Sequence, residues 1–366
     1  MPSDLKRSGF FLNYKIENPE PMHERIVPPA PGRYPNATLR VLTPHSFLPP
    51  GVLESFSRRT GVKFQILTYY TASEAMERVV KNKERFDLAL GSGFLVEGLT
   101  AAKELAEIEW SKIPNSRFLA EQFRHLPFDP DDKYSVALTW SAVGIAYNTS
   151  VFDKPPESWK DLFEPSADTR ARVGDRIGLM ASPHRLFGAA LITTGHSPNA
   201  SDSASGEDAA AYLRRVAKAT KFKFLPFDDV FTYLKTEEVL FAMAQSSDVT
   251  RIMTANANIS FVIPKEGSWV GYDCTAILSK SDDALKEVAH EFINFLLHPT
   301  VAAELSNYTM KASTETASRA FLSPVLRHGP SQQIPASGWT PLLVDFSSPI
   351  QDSVLNEIFP KKLSTP

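Results

Sequence analysis

The chain is short of cysteine: Cys274 is the only one in 366 residues. A lone thiol excludes an intrachain disulfide framework and a thiolate metal cluster. Long apolar runs are missing too, since no stretch reaches the roughly 18 residues that a transmembrane helix needs. Charge of one sign is nowhere concentrated. With 39 Lys and Arg against 42 Asp and Glu the formal charge is -3, and no block of like charge is long enough to grip nucleic acid or a membrane surface. A small molecule or another protein is the partner class that remains.

Catalytic and cofactor motifs are equally scarce. "LGSGF" around Ser92 lacks the glycines two residues before and after the serine that a nucleophile elbow requires; Leu90 and Phe94 stand there. "HEFIN" at His290 begins like a zinc-protease helix, but Asn294 occupies the place of the second histidine. His290 is therefore expected on the polar face of that helix. The eight histidines are dispersed without ligand spacing, and no glycine-rich loop matches a phosphate or dinucleotide fingerprint. No metal, nucleotide or nicotinamide is implied, and nothing points to an enzyme.

At the N-terminus Lys6 and Arg7 precede only the short apolar stretch Phe10 to Leu12, less than the roughly 7 to 15 residues of a signal-peptide core. Either the protein stays in the cytoplasm or this numbering begins after a removed export signal. The following "NPEPMHERIVPPAPGRYPNA" is dense in proline and aperiodic, so residues 1–37 are expected to form an extended leader outside any core.

What the chain does have is 43% apolar and 11% aromatic residues, enough to bury a large core in about two domains. From Thr38 short apolar runs alternate with amphipathic stretches. "TLRVLTP", "VKFQILTYY" and "FDLALGSG" read as strands. The helix between the first two stops at Gly61, and Thr71 with Glu74 three residues on opens the next. This βαβαβ order implies a parallel sheet with right-handed crossovers. Further βα units lie on each side of Trp140, with strand-rich crossings there and near Tyr272. The expectation is two α/β lobes, each a mainly parallel sheet flanked by helices, joined by a two-strand hinge. Residues 38–142 plus 272–320 form one lobe and 143–271 plus 321–366 the other.

Six segments carry a resemblance: "FLPPGVLESFSRRTGVKF", "FDLALGSGFLVEGL", "PFDPDDKYSVALTWSAVGIAYN", "SWKDLFEP", "VIPKEGSWVGYDCTAIL" and "EFINFLLHPTVAAELSNYT". In this order and spacing, from about Thr38 to about Leu326, the chain resembles the spermidine/putrescine-type solute-binding proteins of bacterial ABC transporters. The resemblance implies a two-lobed type II periplasmic-binding-protein fold. It also implies a monomeric, periplasmic receptor that closes on a small solute and presents it to permease transmembrane subunits, with no cofactor, metal or nucleic acid.

A polyamine needs carboxylates for its ammonium groups and aromatic faces for its methylenes. Matched position by position, most of that equipment is missing. In the loop after the first strand, bounded by Thr43, the family's tryptophan and tyrosine match Pro44 and Phe47. After the third strand a serine and a tyrosine match Ser92 and Phe94. Acidic positions match Ser182 and Arg185, and two cleft tryptophans match Gln245 and Gly271, while an aspartate is kept as Asp273. His45, Ser92, Ser182, His184 and Arg185 instead make a donor-rich set suited to a carboxylate or phosphate, leaving Asp273 for an amine. The expected solute is anionic or zwitterionic.

Each of these residues also has a structural reading. Arg185 and His184 can be surface residues at a helix start, Phe47 and Phe94 core aromatics, and Asp273 a partner in an ion pair. Two other functions stay open: a sensing or interaction protein on the same fold, and a true polyamine binder that uses Trp269, Tyr272 and Asp273.

Overall fold

The computed structural model describes residues 32–180, 182–225, 229–332, 339–341 and 357, with the side chains of residues 183–184 and 339–341 outside the description. Most of the expected leader, residues 1–31, lies outside the described residues. In chain order the strands are β1 (Thr38–Pro44), β2 (Lys63–Tyr69), β3 (Leu88–Ser92), β4 (Val136–Asn148), β5 (Ile177–Met180), β6 (Lys223–Leu225), β7 (Phe241–Gln245), β8 (Ile259–Val262), β9 (Ser268–Ile277), β10 (Ala312–Ser313) and β11 (Trp339–Pro341).

The α/β fold class read from the sequence is the one observed. The chain forms two compact units. The first takes the described residues up to Trp140 together with Gly271–Arg327, and the second takes Ser141–Val270 together with those from His328. The chain passes from one unit to the other within β4 and within β9.

In the first unit β1 lies between β2 and β3, parallel to both, and β9 runs antiparallel to β3. The helix Pro50–Thr60 begins with proline at its first position, where the missing N–H costs nothing, and ends at Gly61, whose φ of 81° is left-handed. It buries Val52 and Phe56 against the sheet, and Phe56 meets Phe292 at 5.0 Å and Phe295 at 5.4 Å between ring centroids. Those two come from the helix Asp283–Leu296, whose buried residues Val288, Ala289, Phe292, Ile293 and Leu296 recur at helical spacing.

The same helix corrects one expectation. His290 is not on a polar face: it is 2% exposed, its Nδ1 lies 2.7 Å from the Lys286 carbonyl, and its Nε2 accepts from the Glu109 backbone N–H at 2.9 Å. Those partners assign the proton to Nδ1, so the neutral ring staples the 109–112 segment to the helix. The boundary of the leader also shifts. Tyr34 N–H donates to the Thr60 carbonyl at 2.7 Å and its hydroxyl to Glu291 at 2.9 Å, which fastens residues 33–37 onto the first unit.

In the second unit β4 lies between β7 and β8, antiparallel to both, while β5 is parallel to β7 and β6. Trp159 and Trp269 stack 5.8 Å apart at 16°, and the Trp159 indole N–H donates to the Gly267 carbonyl at 3.0 Å. The helix that begins at Trp159 carries a full capping box from Ser158 and Asp161. The long helix Ser203–Ala219 starts from Asp202, which accepts the Ser205 N–H at 2.9 Å.

Asp87, just before β3, has no exposed surface. Its carboxylate accepts from the Arg40 backbone N–H at 2.8 Å, from Arg40 Nε and Nη2 at 3.0 and 2.8 Å, and from Ser281 Oγ at 2.7 Å. Burial pushes this carboxyl up, but the Arg40 and Ser281 hydrogen bonds outweigh it and hold the group below its ordinary range. A depressed folded-state value means that the stabilisation is complete above the unfolded carboxylate range and is lost as pH falls through it. Asp87→Ala is expected to cost about 3 kcal/mol in urea unfolding at neutral pH, at the low end for a broken buried pair because Arg40 can rehydrate. Near pH 3 the gap between variant and parent should narrow; a gap that widens on acidification contradicts this account.

Candidate functional site

The carboxyl ends of β1, β2 and β3 bring four residues of the first unit into one row. Pro44 is paired with Tyr69 and Leu42 with Ala89, so continuing both registers sets Tyr70, His45 and Ser92 side by side, and Ser92 is paired with Asp273. Three strand spacings of about 4.8 Å make the row about 14 Å long.

One end of the row is aromatic. Tyr70 is 73% exposed and stacks on the His45 ring at 5.2 Å and 24°. Its backbone N–H donates to Glu74 Oε2 at 3.0 Å. That hydrogen bond is the leading reason the Glu74 carboxyl sits below its ordinary range. Glu74 N–H in turn donates to Thr71 Oγ1 at 3.1 Å, the expected cap. The His45 N–H donates to the Tyr69 carbonyl at 3.0 Å, so the ring pair stands on a fixed backbone.

The other end is ionic. Asp273 Oδ2 accepts from Thr139 Oγ1 at 2.9 Å and from Lys311 Nζ at 2.7 Å. The same ammonium lies 5.7 Å from the centroid of the Phe47 ring. Burial, with the nearby charge of Asp273, pushes the Tyr69 phenol up, and its hydroxyl donates to the Leu90 carbonyl at 2.8 Å. Between the two ends Ser92 is half-buried at the start of the helix Gly93–Ala101, and its side chain makes no capping bond there. Gly271, two residues before Asp273 and on the same face of β9, has open space: an added Cβ would meet nothing within 4 Å.

The remaining expected residues of the first unit are placed less favourably. Thr43 is 2% exposed and Phe47 3% exposed, the latter within the main apolar core. Phe94 is half-buried. Tyr272 is 3% exposed and packs with Phe123 and Phe128, on the face of β9 opposite Asp273. Cys274 is fully buried, and burial pushes its thiol well up, so it is a core residue and no nucleophile.

In the second unit Ser182 and Arg185 do come together, with Arg185 Nη1 donating to Ser182 Oγ at 3.4 Å. The His184 side chain lies outside the described residues. Gln245 is 8% exposed and its Oε1 accepts from Ser141 Oγ at 3.0 Å. Trp269, at 1% exposure and stacked on Trp159, is a core residue, which corrects its expected availability as an aromatic face for a cation. A surface pocket of about 550 Å³ in the first unit, between the helices Pro50–Thr60 and Asp283–Leu296, contains none of these residues. Its carboxylates Glu287 and Glu291 already face Lys112 and Arg33. Among the described residues no group of three His, Cys, Asp or Glu side chains could hold a metal, and no helix is long and apolar enough to cross a membrane.

Sequence reasoning missed Tyr70, Thr139 and Lys311. Tyr70 had a signal, since it follows a strand end directly. Thr139 and Lys311 had none, because their side chains reach Asp273 across 134 and 38 residues of chain.

Known proteins agree with this architecture. Residues 51–323 match the family model of bacterial extracellular solute-binding proteins. The spermidine/putrescine-binding periplasmic protein of Salmonella typhimurium is 30% identical over 292 residues, 79% of this chain and 81% of that one. Among solved structures, the spermidine/putrescine ABC transporter substrate-binding protein PotD of Streptococcus pneumoniae superposes with a TM-score of 0.72 at 23% identity, covering 81% and 88% of the two chains. A GABA receptor superposes with a TM-score of 0.66 at 14% identity, covering 88% and 96%. The chain belongs to the bacterial extracellular solute-binding proteins, a family of binding proteins and not of enzymes.

The placement of the aromatics is open to direct measurement. Trp269→Ala should cost about 3 to 5 kcal/mol in urea unfolding, as for a buried large-to-small change. Tyr70→Ala should cost less than about 1 kcal/mol, as for an exposed one. Equal losses would contradict the assignment of Trp269 to the core and Tyr70 to the surface.

Proposed function

We propose that this bacterial extracellular solute-binding protein is the receptor of an ABC importer and captures a small anionic or zwitterionic solute rather than a classical polyamine. The observation that carries the reading is the state of Asp273. It is the one family carboxylate kept at the matched positions, and Lys311 and Thr139 already compensate it. A polyamine would find no uncompensated carboxylate in the row, and in the second unit Arg185 stands at the position that matches an acidic residue of the resembled family; partly desolvated like charges repel. The carboxylate of an amino-acid-like solute fits the guanidinium of Arg185 and the hydroxyl of Ser182, which the second unit brings together, with His184 beside them in sequence.

In this reading two lobes divided near residues 142 and 272 close on the solute by a shift of population toward the closed form. The protein works outside the cytoplasmic membrane and hands its solute to permease transmembrane subunits. The fold supports either ligand class, since its relatives include proteins named for spermidine and putrescine and one named a GABA receptor.

The test is a thermal-shift screen of amino acids, organic acids, phosphonates, putrescine and spermidine. A ligand at a hundred times its Kd stabilises the folded state by about 2.7 kcal/mol. The expected result is stabilisation by an anion or zwitterion, lost in Arg185→Ala. Micromolar stabilisation by spermidine or putrescine that is lost in Asp273→Ala overturns the reading.

A further inference from the structure

We infer that Lys311 is a built-in ammonium group, seated at Asp273 in the place where an amine of a solute would otherwise bind, and that it sets the receptor against di- and polyamines. The inference rests on the reading that this receptor takes a solute other than a classical polyamine, and it names the residue that would exclude an amine at Asp273.

The surroundings of Lys311 Nζ are those of an amine-recognition site. A carboxylate oxygen lies 2.7 Å away, the Thr139 hydroxyl shares that oxygen, and the Phe47 ring centroid lies at 5.7 Å. Carboxylate, hydroxyl and aromatic face are the groups that hold an alkylammonium ion of any source. The pair is neither deeply buried nor a solvated surface contact: the side chains are 25% and 12% exposed. A partly screened pair of this kind is within reach of a competing solute amine.

The backbone keeps the lysine in place from both sides. Met310, at φ 57°, takes the left-handed turn that ends the helix Pro299–Thr309. Lys311 N–H donates to Thr309 Oγ1 at 3.3 Å, and Ala312 is paired with Trp140. A tethered ammonium is present at an effective concentration of about millimolar or more, and a free amine has to displace it. A second ammonium arriving beside it is repelled. The Tyr69 phenol and the buried Cys274 thiol, both pushed up by burial and by the charge of Asp273, stay neutral, and His45 and Tyr70 occupy the far end of the row.

The consequence is a selectivity that a single substitution should reverse. In Lys311→Ala the vacated place should accept a primary ammonium ion. Methylammonium or ethylammonium should then raise the melting temperature of the variant saturably while leaving the wild type unmoved, and putrescine should bind the variant about tenfold or more tightly than the wild type. Lys311→Arg, which keeps the charge, should behave as the wild type, and Lys311→Ala with Asp273→Asn should lose the gain. Because the alanine variant leaves Asp273 without its cation, Lys311→Gln is measured in parallel: its amide can still donate to Asp273 but carries no charge, and it should show the same gain of putrescine binding. Folded Ala and Gln variants that show no response to alkylammonium or putrescine overturn the inference, as does an equal gain in Lys311→Arg. If the wild type itself binds putrescine or spermidine at micromolar concentration, the solute class proposed above fails. If it refuses them and the variants gain nothing, only the role of Lys311 fails.

Discussion

The buried carboxylate of Asp87 sets the register from which the arrangement of the first unit follows. It holds the backbone N–H and the guanidinium of Arg40 at one end of β1 and the Ser281 hydroxyl beyond the end of β9. Asp87 N–H also donates to the Arg40 carbonyl at 2.8 Å, so on the β3 side Val41 and Leu42 are paired with Leu88 and Ala89. A slip of one residue would turn every side chain of β3 to the other face. Three residues further along, the same register brings His45 beside Ser92, and the pairing of β3 with β9 adds Asp273. A clamp at the amino ends of the strands thereby positions the chemistry at their carboxyl ends, where α/β sheets hold their ligands.

The period of two along a strand then divides the roles of neighbours. Tyr272 and Asp273 are consecutive, so they face opposite sides of β9. Tyr272 joins Phe123 and Phe128, and Asp273 meets Thr139 and Lys311. A tyrosine next to an aspartate looks in the sequence like a ready pair for a cation, but the pleat forbids both from serving one ligand from one face. Gly271 shares the face of Asp273 and leaves it open. Trp269, two residues before Gly271, is buried against Trp159 and offers no aromatic face there.

Much of the fold was legible because it rests on local rules. Gly61 caps its helix, Thr71 caps the next, and alternating apolar runs became β1, β2 and β3. The reciprocal carboxylate bond at Thr71 differs in detail, since Glu74 takes the N–H of Tyr70, and that bond is what steadies the exposed aromatic. The site was legible only where its residues sit at strand ends. Lys311 directly precedes a short strand of two residues, Ala312–Ser313, whose pairing with β4 no propensity announces. His290 was misjudged for a related reason: its partner is a backbone N–H 181 residues away, which makes burial of a polar ring inexpensive.

Several residues at the carboxyl ends of the strands lie outside the packing that holds the first unit together, so they can vary with little cost to the fold. The Phe47 ring belongs to the apolar core and only its face is offered to Lys311. His45, Tyr70 and Gly271 are exposed and bury little apolar surface, so exchanging them costs little of the roughly 25 cal/mol per Å² that holds the core together. Pro44 removes an aromatic face from the first strand end, and Tyr70 supplies one from the second, a single strand spacing away. Lys311 bears more directly on charge. A largely buried aspartate left alone attracts a cation, whereas one with its own ammonium presents a neutral, already occupied place. The charge of Asp273 is thereby compensated within the chain itself.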